Sequence, residues 1–360
     1  MDDESRNPLL AATPVPVEVV FHPSWWHRHA GLDFGEDFFY HPKRRVEVER
    51  KMEAVLHEKF GGHGLGADRD RDLPVIGAVH NAAGYLLSEM LGCRVDYLED
   101  APPQVVPAGR AALAIDAEAA FRSRDFTRLL AVRDALVGRF GYVTGDVNWG
   151  GVLNIALDLV GQDLFLQLYS QPEEVKREFA VLAGVIERFV TGIAGATGTS
   201  SVSVNRTVRH LARPVFLHSE CSNTMISAAH YEEFLLPIDV EWSRKFRPFG
   251  IHYCGKDAHR YARSFAKIEN LDFLDVGWGS DVKTLRQHLP RTFLNIRLDA
   301  MGWNDHPDDE LAATIERLVG ESGNPWLTGV CCINLDDKAD PRKVRLMFEV
   351  VADLRARLVA

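Results

Sequence analysis

Short apolar segments alternate with longer amphipathic segments along most of this 360-residue chain. The apolar segments have the length and composition of buried strands, and the segments between them have the periodicity of helices. Regular alternation of this kind predicts a parallel sheet covered by helices. Eight strands are predicted: Leu73–His80, Phe140–Gly145, Ser200–Asn205, Val215–Ser219, Phe249–Cys254, Phe273–Gly277, Phe293–Leu298 and Gly329–Leu335.

A single (β/α)8 TIM barrel is the favoured architecture, because eight strands with intervening helices match its repeat. An open, doubly wound sheet is the alternative, but the chain has no Gly-rich phosphate-binding fingerprint. The short gap between Ser200–Asn205 and Val215–Ser219 holds no clear helix, which leaves open whether one of these is an extra strand and whether Leu73–His80 is the first barrel strand. We predict a flexible lead over residues 1–18 and one barrel domain over residues 19–360 with an N-terminal helical extension.

Helical periodicity and capping residues mark the segments between the strands. Ser170 and Ser227 are predicted to cap helices, and Asp340-Pro341 has the composition of a helix start. The segment Val17–Gly31 is dense in aromatic residues and histidines, and its simplest interpretation is a packing segment. Helices are predicted at Pro42–Phe60, Pro172–Ile193, Ser227 to about Lys245, Asp281–Leu289, Pro307–Val319 and Pro341–Val359.

Composition excludes several classes of function. The net charge is −10 and no run of Lys or Arg is long enough to follow a phosphate backbone, which argues weakly against nucleic-acid binding. No apolar run reaches the roughly 18 residues of a membrane span, and the polar, acidic start is unlike a signal peptide. Five cysteines in a chain of this size are typical of a reduced, cytoplasmic protein whose thiols are free for metal.

Polar or metal-binding residues follow almost every predicted strand, although the strand interiors are apolar. Active sites of TIM barrels lie at the C-terminal ends of the strands, so these residues are the candidates for function. They are Asp146 and Asn148, Asn205 and Arg206, Glu220 and Cys221, His252 and Cys254, Asp275 and Trp278, Arg297 and Asp299, and then Cys331, Cys332 and Asn334.

The pair His252 and Cys254 is the sharpest of these signals. Residues two apart on a strand share a face, and imidazole and thiolate are ligands that zinc prefers. Three protein ligands with one open position are typical of catalytic zinc. The plainer alternatives are a hydrogen-bonded core histidine and a cysteine that acts as a small buried hydrophobe. Glu220 is the candidate fourth ligand and catalytic carboxylate, or else it binds substrate or caps the following turn.

The remaining cysteines carry weaker signals. Cys93 and Cys221 have no partner at ligand spacing, so we interpret them as structural or incidental. Cys331 and Cys332 are adjacent on a predicted strand and therefore face opposite ways, so only one of the two is expected to reach a site.

Three segments of the chain resemble the uroporphyrinogen decarboxylase superfamily: His252–Gly255, Ile226–Pro237 and Leu91–Val95. The resemblance extends from about Phe21 to the C-terminus. It implies a (β/α)8 barrel that belongs to one of two branches, cofactor-free decarboxylases or zinc-dependent methyltransferases that work with corrinoids.

The methyltransferase branch is the closer match. The decarboxylases carry a second arginine where this chain has Leu32, and an early-strand aspartate that is missing around Ala78–Asn81. The resemblance to the methyltransferases implies zinc ligands at His252, Cys254 and Cys331, with the doubling at Cys332 leaving open which of the two cysteines is the third ligand.

The resemblance also implies the reaction. A methyl group would move between a small methylated compound (a methoxy compound, methylamine or thiol) and a corrinoid (cobalamin) carried by a partner protein, as in a demethylase. The alternatives are a metal-free lyase acting on a carboxylated substrate and a non-catalytic barrel that binds a small molecule. Strand-end positions and the aromatic segment supply the expected substrate-binding residues: His27, Arg28, Asp146, Asn148 and Trp278.

Overall fold

The structure is a computed structural model that describes residues 13–68, 72–77, 85–146, 149–198 and 215–359. Its strands are β1 (Val17–Phe21), β2 (Val75–Gly77), β3 (Arg94–Asp96), β4 (Gln104–Val106), β5 (Thr144–Asp146), β6 (Phe216–Ser219), β7 (Phe249–Tyr253), β8 (Leu271–Val276), β9 (Phe293–Arg297) and β10 (Thr328–Leu335). Its helices are α1 (Pro23–Ala30), α2 (Glu36–Tyr40), α3 (Pro42–Phe60), α4 (Tyr85–Met90), α5 (Ala117–Ala120), α6 (Arg124–Phe140), α7 (Val152–Val160), α8 (Asp163–Ser170), α9 (Pro172–Thr197), α10 (Ala228–Phe234), α11 (Leu236–Lys245), α12 (Ala262–Phe265), α13 (Val282–His288), α14 (Asp308–Ser322) and α15 (Pro341–Val359).

A curled, parallel six-stranded sheet forms the centre of the fold, in the order β1-β10-β9-β8-β7-β6. A separate parallel pair joins β2 to β5, and β3 and β4 form an antiparallel hairpin. The chain is therefore a mixed α/β protein, as predicted. The closed eight-stranded barrel is seen only in part among the described residues, as a six-stranded arc and a two-stranded pair.

Sequence and structure agree best in the last 145 or so described residues. Each of the five strands predicted from Val215 onward overlaps an observed strand, with ends that differ by at most two residues. All residues of β6, β7 and β8 are buried. Strands buried on both faces are continuous apolar runs, which makes their limits easy to recognise. The helices predicted at Pro42–Phe60 and Pro341–Val359 have the observed limits.

Before Val215, the structure corrects several of the predicted segments. Val17–Phe21 was expected to be partly lead and partly packing segment, but it forms β1 and pairs with β10. Phe140 was placed in a strand, yet it is the last residue of α6, which ends because Gly141 adopts a left-handed conformation with φ 79°. Ser200–Asn205 lies outside the described residues.

Two helix boundaries also differ from the prediction. The helix expected from Ser227 to Lys245 is divided into α10 and α11, and Pro237 stands in the first turn of α11, where its missing N–H is tolerated. Ser227 caps α10 as predicted, since its side chain accepts a hydrogen bond from the N–H of His230. Ser170 does not cap α9, because it belongs to α8.

Among the described residues, one helix is long and apolar enough to cross a membrane, namely α9. Its apolar residues pack against α7, α8 and β5. Core helices of large proteins share this length and hydropathy, so α9 is only weak support for a membrane span.

Candidate metal centre

Three potential metal ligands meet at the C-terminal ends of β6 and β7. Ligand atoms of Cys221, His252 and Cys254 all lie within 4.8 Å of one another. Nε2 of His252 is 2.8 Å from Sγ of Cys254. The sulfur atoms of Cys221 and Cys254 are in contact, and the Cα atoms of these two residues are 5.2 Å apart.

Strand pairing explains why these residues meet. Ser219, near the end of β6, pairs with His252 of β7, so the residues that follow each strand emerge side by side. Cys221 begins a 3₁₀ turn directly after β6, and Cys254 is the first residue after β7. The sequence placed Cys221 at a strand end but assigned it no ligand role, because its partners are 31 and 33 residues away.

A buried carboxylate orients the His252 ring. Nδ1 of His252 lies 2.6 Å from Oδ2 of Asp275, and the amide of Asn295 donates a hydrogen bond to the other oxygen of Asp275 at 3.2 Å. Fixing Nδ1–H on a carboxylate leaves the Nε2 lone pair directed at the thiols, which is the arrangement of metal-ligating histidines in many proteins. The sequence marked Asp275 as a strand-end residue without this role.

The protonation states of this pair suit metal binding. Burial lowers the pKa of His252 below its usual value, although Asp275 opposes the shift. Burial alone would raise the pKa of Asp275, but His252, Arg297 and Asn295 outweigh it and lower the pKa. A neutral imidazole therefore faces an ionised carboxylate, and the neutral imidazole is the form that binds metal.

A zinc ion fits this set of donors. Zinc–sulfur bonds of about 2.3 Å and zinc–nitrogen bonds of about 2.0 Å place tetrahedral ligand atoms roughly 3–4 Å apart. The atoms of Cys221, His252 and Cys254 are clustered on that scale, although the contact between the two sulfurs has to open to reach it. His252 is buried, Cys221 is half-buried and Cys254 is exposed, so the group opens toward solvent on the Cys254 side.

Cys331 lies beside this group rather than within it. It is fully buried on β10, and its sulfur is 3.7 Å from Oδ1 of Asp275. Burial, with a smaller contribution from the charge of Asp275, raises the pKa of the Cys331 thiol. Its neighbour Cys332 packs in the main hydrophobic core. Cys331 is therefore the member of the pair that faces the candidate centre, and its role as a ligand stays a prediction.

Glu220 is directed toward the N-terminus of α7. Its carboxylate is fully buried and accepts hydrogen bonds from the backbone N–H groups of Leu153 and Asn154 at 3.0 and 3.1 Å. Helix N-termini stabilise negative charge in this position. A Cβ at Gly151 would overlap this carboxylate, so the close approach requires glycine. The predicted roles of Glu220 as fourth zinc ligand and catalytic group stay predictions.

Glu220 also belongs to a second buried cluster that the sequence did not reveal. His218 lies between two carboxylates, with Nδ1 2.6 Å from Asp239 and Nε2 3.0 Å from Glu220. The hydroxyl of Tyr231 donates a hydrogen bond to Asp239 at 2.5 Å. Burial alone would lower the pKa of His218, but Asp239 and Glu220 outweigh it and raise the pKa to about 10. The raised pKa favours the imidazolium form, although the backbone N–H of Val152 also points at Nε2 from 3.2 Å.

The predicted substrate-binding residues that the structure describes follow different strands, His27 and Arg28 after β1 and Trp278 after β8. His27 and Arg28 are exposed on α1, where Nδ1 of His27 lies 2.9 Å from Asp33 and Arg28 donates a hydrogen bond to Asp337 at 2.8 Å. Trp278 is half-buried in the turn that follows β8 and packs against the main core. Asn148 and the side chain of Asp146 lie outside the described residues.

Four other tryptophans, at positions 25, 26, 149 and 303, belong to the buried core. Trp25 and Trp26 pack with Phe21, and Trp25 also lies near Phe60. The exposed fractions of Trp149 and Trp303 are 0% and 2%. The aromatic segment near the N-terminus therefore behaves as the packing segment that was its simplest interpretation.

Comparison with known proteins shows that the fold of this chain is similar to that of solved structures. No family of known proteins and no curated protein matches the sequence. The solved structure of a methyltransferase from Methanosarcina mazei aligns over 97% of this chain and 95% of its own, with a TM-score of 0.65 and 14% identity. A B12-independent methionine synthase from Shewanella sp. W3-18-1, solved in complex with selenomethionine, aligns over 97% and 100%, with a TM-score of 0.49 and 9% identity. The chain thus shares the overall fold of the Methanosarcina mazei methyltransferase.

Proposed function

We propose that this protein is a zinc-dependent methyltransferase that moves a methyl group between a small methylated compound and a corrinoid held by a partner protein. The observation that carries the proposal is the cluster of Cys221, His252 and Cys254 at the C-terminal ends of parallel strands. Support comes from the fold shared with a methyltransferase and from the resemblance of the His252–Gly255 segment to zinc-dependent methyltransferases.

His252 and Cys254 are two of the proposed ligands, and a second thiolate is the third. Cys221 is the candidate by geometry, because its sulfur is already in the group. Cys331 is the candidate by resemblance, and its sulfur lies beside Asp275. Cys221→Ser and Cys331→Ser distinguish the two. Replacing zinc by cobalt and following the thiolate-to-cobalt absorption counts the sulfur ligands in each variant.

Zinc bound there would supply Lewis acidity, which lowers the pKa of a thiol or polarises the heteroatom that carries the methyl group. The protein's own contribution is position and charge. Asp275 holds the His252 ring in the tautomer that binds metal, and the exposed side of Cys254 leaves room for substrate. Methyl transfer between two heavy atoms is a direct displacement, so alignment of donor and acceptor is the main task of the site.

Metal analysis tests the proposal directly. We expect about one zinc per chain in freshly reduced protein, as in other catalytic zinc sites, and its loss in His252→Ala and Cys254→Ala. Reduced protein that stays metal-free in zinc-containing buffer would contradict the proposal and favour a metal-free lyase.

Activity is tested with free cob(I)alamin and a panel of methoxy compounds, methylamines and methylated thiols. The appearance of methylcobalamin absorbance identifies the methyl donor. Zinc binding without transfer to or from cobalamin for any compound would indicate a binding protein rather than an enzyme.

A further inference from the structure

Arg297 is a charged residue on the site-facing side of the sheet. It ends β9, two residues after Asn295, and residues two apart on a strand share a face. Asn295 hydrogen-bonds to Asp275, so this face carries the candidate metal centre. Arg297 also pairs in register with Cys331 of β10. It lies roughly 7 Å closer to the C-terminal edge of the sheet than Asn295, by the rise of two strand residues.

The guanidinium of Arg297 has no partner of its own. No hydrogen bond or ion pair links it to any residue that the structure describes, and its Nη1 is buried without an acceptor. It lies near Asp275 without bonding to it, because its register partner Cys331 has its sulfur 3.7 Å from that carboxylate. Asp275 already pairs with His252 and Asn295, and burying a charged donor without an acceptor is costly.

Three fully buried polar side chains nearby also lack partners within the described part of the chain. They are the hydroxyl of Ser219, the whole amide of Asn223 and the carbonyl oxygen of Asn295. Ser219 pairs in register with His252, and Asn223 lies in the turn that begins at Cys221. Native proteins satisfy nearly all buried polar groups, so a concentration of unsatisfied ones around one centre indicates a polar ligand.

We infer that the substrate is a small anion whose carboxylate, or other oxyanion of the same charge, is bound by Arg297 beside the metal centre. Ser219 and Asn223 supply hydrogen bonds to its polar groups. The inference rests on the proposed function for the identity of the centre. It adds the charge of the substrate and the residue that selects it. Arginine suits this task because its planar donors match two oxygens of one carboxylate.

Two thiols of equal length test the inference. 3-Mercaptopropionate carries a carboxylate where 3-mercapto-1-propanol carries a hydroxyl, and binding of both to zinc-loaded protein is measured by isothermal titration calorimetry. A charge-assisted hydrogen bond contributes about 1.5–3 kcal/mol, so we expect the anion to bind roughly 10- to 100-fold more tightly. Equal affinities for the wild-type protein would overturn the inference without any variant.

Variants of Arg297 test whether this residue is responsible for the tighter binding of the anion. In Arg297→Gln we expect the ratio of the two affinities to fall to within about twofold, while Arg297→Lys keeps part of it. Arg317→Gln, on the surface of α14, is the matched control and should keep the full preference. A preference that survives in Arg297→Gln would overturn the assignment. Thermal unfolding checks each variant, and Arg297→Met, which keeps the unbranched stem, replaces a Gln variant that does not fold.

The same titrations separate this inference from the proposed function. They are repeated on protein from which metal has been removed, with propionate and 1-propanol as probes without a thiol. An Arg297-dependent preference in a protein that binds no zinc would contradict the proposed function alone. Zinc binding and methyl transfer without any preference for the anion would contradict this inference alone.

Discussion

His218 and His252 lie on neighbouring strands, one residue out of register and therefore on opposite faces of the sheet, and they differ in charge state. Each is fully buried, and each places Nδ1 2.6 Å from a buried carboxylate, Asp239 for one and Asp275 for the other. The residue two positions later differs. Glu220 gives His218 a second carboxylate, whereas Cys254 gives His252 a sulfur.

The second partner therefore decides what each histidine can do. Two carboxylates raise the pKa of His218 to about 10 and hold a cation in the core. At His252, which has one carboxylate and a thiol as partners, the effect of burial outweighs that of Asp275 and the pKa is lowered. Nε2 of His252 therefore stays unprotonated and available to bind metal. One histidine is thus a structural charge and the other a proposed ligand, although their strands and first partners are alike.

The largest expected effect is on metal content. His252→Ala should reduce zinc from about one per chain to near zero, because a three-ligand site loses an essential donor. His218→Gln should keep the metal, since His218 is not in the ligand group. Plasma emission spectroscopy on both proteins measures this. Equal zinc loss in the two variants would show that the two clusters do not have separate roles.

The next effect is on stability and falls on the other histidine. His218→Gln leaves Asp239 and Glu220 without their shared cation, and removing one member of a buried charge cluster costs about 3–5 kcal/mol. Denaturant unfolding of metal-free protein measures the change. His252→Gln is the matched control and should cost less, because Asp275 keeps Asn295 as a partner. A larger loss of stability in His252→Gln than in His218→Gln would contradict the different roles assigned to the two histidines.

A third prediction concerns the two carboxylates. Asp275→Asn should weaken zinc binding about 10- to 100-fold, because partners that orient a metal-ligating histidine have effects of this size. Asp239→Asn, at the equivalent position beside His218, should leave zinc affinity unchanged. Competition with a chromophoric chelator gives both affinities, and a matching loss in Asp239→Asn would contradict the assignment.

The last prediction is a pH dependence of the contribution that His218 makes to stability. Because the pKa of His218 is raised to about 10 in the folded protein from about 6.5 in the unfolded chain, its contribution to stability is complete below about pH 6.5. That contribution is lost as pH rises toward 10. The difference in unfolding free energy between wild type and His218→Gln should therefore shrink from pH 6.5 to 10. A constant difference over this range would show that His218 is neutral.

The sequence predicted those parts of the molecule whose signals are local. The strands from β6 to β10 are short, mainly apolar and largely buried segments, and His252 with Cys254 is a same-face pair that can be recognised without a partner. Cys221 was set aside because only the pairing of β6 with β7 brings it to His252. The carboxylates of Asp275 and Asp239 likewise become histidine partners only through packing between elements.

The N-terminal strand and the extent of barrel closure also depend on pairing between distant segments, which the sequence alone does not reveal. β1 is five residues long, and its first two residues fell within the predicted lead, so its propensity alone did not identify it. Its position beside β10 comes from pairing between the two ends of the chain. Resemblance pointed to Cys331 as the third ligand, whereas geometry places Cys221 in the group and Cys331 next to Asp275.

The contact between Cys221 and Cys254 makes the candidate metal centre sensitive to oxidation of the protein. Their Cα atoms are 5.2 Å apart, a separation that suits a disulfide bond. A peroxide can take two electrons and two protons from these thiols, which leaves a disulfide and water. Two donors are then bonded to each other instead of to a metal. An oxidised preparation would therefore hold less zinc than a reduced one, and a fully oxidised sample would give the same metal analysis as a protein without a zinc site.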